Sequence, residues 1–177
     1  MVPFSVVAFR EGHDLIGVQL RLTSPDGEET LHRLTPFLDG TDRWGAEIAI
    51  DLQGRWSFRF EAFSDDFVTW AHAAEVKVAV GVDVPVMAAL GAELLTRAAA
   101  EKDRPAAQRR RLRDIAAALA GGDAATTTAA STDPELARFF RDRPLTTLRS
   151  ASAVHTLLVE RTAAGVGAWY ELSLIHI

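Results

Sequence analysis

Arg55-Trp56-Ser57-Phe58-Arg59-Phe60-Glu61-Ala62-Phe63 decides the fold class. In an extended chain side chains alternate between two faces, so Trp56, Phe58 and Phe60 share one face while Ser57, Arg59 and Glu61 take the other. Three aromatic rings on one face bring a large apolar area, which must lie over a core. The stretch therefore predicts a β-strand, ended by Asp65-Asp66.

The sequence upstream repeats this pattern. Val2 to Phe9 reads as extended and apolar, followed by the polar turn Glu11-Gly12-His13-Asp14. From Leu15 to Thr23 the residues Ile16, Val18, Leu20 and Leu22 share one face, with Gln19 and Arg21 opposite. Ser24-Pro25-Asp26-Gly27 is a turn signal, since proline presets φ and glycine tolerates positive φ. Leu31 to Thr35 is a weaker strand, Asp39-Gly40-Thr41-Asp42 a turn, and Trp44 to Ile50 extended up to Leu52-Gln53-Gly54. Downstream, Phe67 to Ala79 reads as extended, with Trp70 and His72 sharing a face and Val76 and Val78 alternating. Short strands with turns roughly every ten residues predict a sandwich or a barrel, and spacing alone does not choose between them.

At Asp83 the period changes. Met87, Leu90, Gly91, Leu94, Leu95 and Ala98 recur at helical spacing through Ala100, with Asp83 as cap and Pro85 in the first turn. A second helix is expected from Pro105 to Ala120, striped by Leu112, Ile115, Ala116 and Leu119 and stopped by Gly121-Gly122. Asp123 to Ser131, rich in Ala and Thr, reads as a mobile loop. Thr132-Asp133-Pro134-Glu135 reads as a capping box that opens a short helix through Arg141, held by Leu136, Phe139 and Phe140. Val154 to Arg161 and Val166 to Leu172 return to strand around Ala163-Ala164-Gly165. The expected organisation is a β part over 1–82, a helical insertion over 83–150, returning strands over 151–172 and an atypical tail over 173–177.

The 177 residues suffice for one core with a small appended unit. A formal net charge of -5 argues against a nucleic-acid-binding domain, although five arginines fall within Arg104 to Arg113. The absence of cysteine excludes disulfides and thiolate chemistry. No apolar run is long enough to span a bilayer, and the apolar start carries no basic leader, so neither membrane insertion nor a signal peptide is expected. A cytoplasmic location follows as the expectation.

No set of residues forms a recognisable catalytic centre, metal site or cofactor site. Gly121-Gly122 lacks the lysine of a phosphate-binding loop. His13, His32, His72, His155 and His176 include no pair four apart. Asp65 and Asp66 lie among Phe63, Phe67 and Trp70, as carboxylates do in sugar-processing sites, yet neighbouring residues of a strand face apart and make a poor acid/base pair. Of Trp44, Trp56, Trp70 and Trp169, most are expected in the core, with Trp70 and Trp169 as candidate sugar-stacking surfaces. Arg109-Arg110-Arg111 suits a phosphate or an acidic partner, but a helical arginine run more often forms a solvated face.

In their order, several short tags are specific. They are Phe9-Arg10-Glu11-Gly12-His13-Asp14, Asp42-Arg43-Trp44, Gly54-Arg55-Trp56-Ser57-Phe58-Arg59, Thr69-Trp70-Ala71-His72, Gly91-Ala92-Glu93-Leu94-Leu95 and Gly167-Ala168-Trp169-Tyr170-Glu171. From about Phe4 to Leu172 the chain resembles the N-terminal region of the bacterial alpha-1,4-glucan:maltose-1-phosphate maltosyltransferases. The resemblance implies a mainly β fold, an immunoglobulin-like β-sandwich with an inserted helical segment of two to three helices, ahead of a (β/α)₈ barrel of the α-amylase superfamily. It implies a cytoplasmic homodimer whose sandwich and helical surfaces build the interface, with the surfaces bearing Leu94, Arg109 and Phe139 near the partner's active-site region. The implied reaction moves a maltosyl unit from α-maltose 1-phosphate to the non-reducing end of an α-1,4-glucan with retention, through an aspartate nucleophile and a glutamate acid/base. Those residues, and the binding of both substrates, belong to the barrel, so no catalytic, cofactor or metal residue is assigned here.

Two departures from the family pattern accompany the resemblance. The chain starts inside the first part of the sandwich, which would leave an edge strand unpaired beside Val6 and Phe9. Its ending, Leu172-Ser173-Leu174-Ile175-His176-Ile177, does not match. A fragment with a non-native tail is the expectation, inactive alone. An autonomous carbohydrate-binding module and a structural dimerisation module are the alternatives.

Overall fold

The alternating stretch Ile16–Thr23 forms β2 and Gly54–Asp65 forms β6, and the two pair antiparallel with Leu20 opposite Phe60 and Leu22 opposite Phe58. In this register their apolar residues share one face and Gln19 and Glu61 sit opposite each other on the other. The computed structural model describes residues 1–161 and 164. Before β2 comes β1 (Val2–Val7); β3 (Glu29–Arg33), β4 (Thr35–Pro36) and β5 (Arg43–Ile48) follow it. One sheet has the order β1-β5-β4. The other has the order β3-β2-β6-β7, where β7 is Thr146–Ala151, and β8 (His155–Val159) also pairs with β6. All pairs are antiparallel. Both sheets feed one apolar cluster, with Phe4 and Ile48 from the first and Val18, Leu20, Leu22 and Trp56 from the second.

Five helices follow one another between β6 and β7, where two to three were expected: α1 (Asp66–Ala79), α2 (Val84–Ala100), α3 (Ala106–Leu119), α4 (Ala124–Ser131) and α5 (Pro134–Asp142). They enclose a second cluster that includes Phe67, Trp70, Leu94, Leu95, Leu112, Leu136 and Phe140.

Two expectations fail here. Phe67 to Ala79 is a helix, so Trp70 and His72 do not share a face: Trp70 is buried and His72 exposed. Its buried residues Phe67, Trp70, Ala74 and Val78 recur at helical spacing, and the Asp65 carboxylate accepts from Val68 N at 3.2 Å to cap it. Asp123 to Ser131 is not a loop but α4, capped by Asp123 accepting from Thr126 N at 2.8 Å and held down by buried Thr127 and Ala130.

Caps elsewhere also differ in detail. Asp83 stands ahead of α2 at φ 54° but makes no cap bond, and its carboxylate pairs with Lys77 at 2.9 Å. Asp133 rather than Thr132 caps α5, accepting from Glu135 N and Leu136 N. The expected strand over Val166 to Leu172 and the tail over 173–177 lie outside the described residues.

Candidate functional site

A cleft of about 320 Å³ opens where β6 passes directly into α1. α1 contributes Thr69 and the edge of Trp70, α2 contributes Leu90 and Arg97, and β7 contributes Thr147 and Leu148. Leu148 is largely exposed at φ 49°, a conformation that costs a branched side chain energy, and Leu90 is half exposed beside it. Asp66 also lines the cleft. Its carboxylate accepts from Thr147 Oγ1 at 2.7 Å and pairs with Arg97, while Thr69 Oγ1 accepts from Leu15 N at 2.9 Å. The cleft thus joins apolar Leu90 and Leu148 to polar groups of which Asp66, Thr147 and Arg97 are paired with one another.

Asp65 and Asp66 do not act as a pair. Asp65 is 1% exposed, caps α1 and pairs with Arg33, whereas Asp66 turns the other way to Arg97. Each carboxylate is engaged by its own arginine.

The polar face of the larger sheet holds a buried carboxylate that sequence reading placed on a plain outward face. Glu61 is 1% exposed and accepts from Gln19 Nε2 and Arg21 Nε at 2.8 Å and from Arg59 Nε at 3.0 Å. Burial works against its ionisation, but the Arg21 guanidinium, the Gln19 amide and the charge of Arg149 outweigh it and hold the carboxyl at about 2 rather than 4.5. The group is a fixed anion that orients arginines.

The described tryptophans serve the cores. Trp56 is buried with its Nε1 donating to Leu52 O at 2.9 Å, and Trp44 donates to Ala8 O at 3.0 Å. Trp70, expected as a stacking surface, is buried among the helices and donates to Met87 O at 2.8 Å. Trp169 lies outside the described residues. Leu94 and Phe139 are likewise buried.

The arginine run divides by role. Arg111 pairs with Asp133 at 3.1 Å and Glu135 at 3.4 Å, and Arg110 is exposed. Arg109 is half-buried, and its Nε has no hydrogen-bond partner among the described residues. Arg104, a member of the same run by sequence, is 1% exposed and lies over the Phe140 ring at 5.0 Å. It donates to Phe139 O at 3.4 Å and Arg143 O at 2.5 Å, stitching the α2–α3 turn to the end of α5. No sequence signal separates it from its exposed neighbours. His32 contacts Thr30 Oγ1 and His155 leans on Phe58. Among the described residues, no three His, Asp or Glu side chains converge as a metal site would require, and no helix is long and apolar enough to cross a membrane.

Comparison with known proteins places this architecture. Residues 1–161 match the profile of the alpha-1,4-glucan:maltose-1-phosphate maltosyltransferase domain N/S. Alpha-1,4-glucan:maltose-1-phosphate maltosyltransferase 2 of Streptomyces coelicolor is 39% identical over 95% of this chain and 26% of its own length. Maltosyltransferase 1 of the same organism is 39% identical over 94% of this chain and 25% of its own length. The Corynebacterium pseudotuberculosis enzyme is 33% identical over 97% of this chain and 26% of its own length. The chain thus spans about a quarter of the length of the curated relatives it matches. It belongs to the alpha-1,4-glucan:maltose-1-phosphate maltosyltransferase domain N/S family.

Proposed function

We propose that this chain is the non-catalytic N-terminal domain of a maltosyltransferase, acting as scaffold and dimer surface for a catalytic domain. The observation that carries the reading is the match of residues 1–161 to the domain N/S profile in a chain covering about a quarter of its relatives. Two antiparallel sheets around one apolar cluster support an immunoglobulin-like sandwich, with the helices inserted between β6 and β7.

The whole enzyme, on this reading, is a cytoplasmic homodimer. It transfers maltosyl units with retention from α-maltose 1-phosphate to the non-reducing end of an α-1,4-glucan, both bound by a barrel. Exposed Val68 and Val76 on α1 and Val86 and Leu90 on α2 offer apolar area for a subunit contact. A transferase assay tests the reading: the 177-residue chain with α-maltose 1-phosphate and glycogen gives no turnover, and a longer chain carrying the barrel does. Turnover by the 177-residue chain alone overturns it. Sedimentation tests the dimer, and a strictly monomeric chain at high concentration counts against it.

A further inference from the structure

A second cavity, of about 580 Å³, lies on the polar face of the larger sheet, where the end of α5 and β7 approach β2 and β3. Arg33, Arg141, Arg143 and Arg149 line it, and among the described residues Asp142 is the one carboxylate lining it. Behind the wall Glu61 pairs with Arg21 and Arg59, and Asp65 pairs with Arg33. Arg141, Arg143 and Arg149 remain without an ion pair among the described residues. The field of Arg149 reaches Glu61, yet the two are not in contact.

Arg33 is held in place from behind. Its guanidinium lies over the Phe63 ring at 4.9 Å and binds Asp65, while Gly17 leaves the space that a Cβ would take from both Arg33 and Phe63. Arg33 Nη1 is buried and has no hydrogen-bond partner among the described residues. A buried cationic N–H without an acceptor is costly unless something supplies one. Guanidinium forks match the oxygens of a phosphoryl group in spacing and charge, and they lose little freedom when pre-oriented.

We propose that this cavity binds a phosphate group, either as free phosphate or as the phosphoryl end of a small phosphate monoester. Arg33 stands in the fixed wall, and Arg141, Arg143 and Arg149 close over the anion from the rim. The volume leaves space beside the phosphoryl group for a monoester's organic part. The site lies on the polar face of the sheet and does not depend on the scaffold reading.

Calorimetric titration of the 177-residue chain at low ionic strength with inorganic phosphate, glucose 6-phosphate and glucose tests the proposal. Both phosphates are expected to bind and glucose not to; tighter binding of the ester identifies a monoester ligand, and equal binding identifies phosphate itself. Arg141→Gln with Arg149→Gln is expected to weaken binding about tenfold or more, as loss of two charge-assisted hydrogen bonds implies. Arg110→Gln, in the exposed run on α3, leaves binding unchanged. These rim arginines are exposed, so their variants keep the thermal melt of the parent; should one pair lower it, Arg143→Gln alone reads the same loss. Absence of phosphate binding by the parent chain, or parental affinity in the folded variants, overturns the proposal.

Discussion

Glu61 shows how one side chain sets a local field. Its folded carboxyl titrates at about 2 against an ordinary 4.5, so it favours the folded state fully above pH 4.5. That contribution fades as the pH falls from 4.5 towards 2, where the folded carboxylate takes up its proton. Glu61→Gln keeps the shape but leaves Arg59 without its anion and Arg21 with Glu29 alone, at a cost of about 1–3 kcal/mol at neutral pH. Urea unfolding of parent and variant across this range is expected to show the gap closing as the pH drops; a gap independent of pH would contradict the assignment. Arg104 gives the complementary case, a buried cation held by the Glu101 carboxylate and by the carbonyls of Phe139 and Arg143. Arg104→Ala strands both carbonyls and opens a void, costing about 3 kcal/mol. Arg110→Ala on the exposed face of α3 stays within about 0.5 kcal/mol. Equal costs at the two positions in chemical denaturation would show that Arg104 is solvated like its neighbours.

Between elements, the approach of α1 to α2 depends on Gly91. A Cβ there would overlap Cζ2 and Cε2 of Trp70, whose Nε1 is bonded to Met87 O. Helix propensity alone would make Gly91→Ala stabilising by about 1 kcal/mol. Overpacking against a buried indole reverses the sign and costs about 1–3 kcal/mol. Thermal unfolding reads that sign, and a stabilised variant would mean that Trp70 can move aside. Legibility from sequence follows the same division between local pattern and tertiary contact. β2 and β6 were readable because Ile16 to Leu22 and Trp56 to Phe60 alternate without interruption. α1 was hidden because its buried stripe includes the small Ala74, while exposed Val76 beside buried Val78 imitates a strand. α4 contains three threonines and little apolar area, so only its cap and the burial of Thr127 and Ala130 make it a helix. β7 is almost wholly exposed and carries no alternation to detect. The phosphate cavity joins arginines from β3, α5, the turn after α5 and β7, a convergence that no linear spacing records.

At the scale of the whole molecule, the two cores are joined without linkers. β6 ends at Asp65 and α1 begins at Asp66, while only residues 143–145 separate α5 from β7, with Leu145 buried in the helical core. The helical unit therefore fixes the separation of two neighbouring strands. If the helices were unfolded, pairing β7 with β6 would require closing the loop over 66–145, an entropic cost of roughly 4 kcal/mol. β7 buries too little of its own surface to meet that cost. β2 and β6 bury Val18, Leu20, Leu22 and Trp56 and have no such dependence. Leu95, fully buried in α2, separates the two cases. Leu95→Ala is expected to destabilise the helical unit by about 2–5 kcal/mol. In native-state hydrogen exchange, the β7 amides around Ser150 should then accelerate together with those of α2, and those of Leu20 and Leu22 should stay slow. Retention of parental protection in β7 while α2 opens would show that the strand pairing stands without the helices.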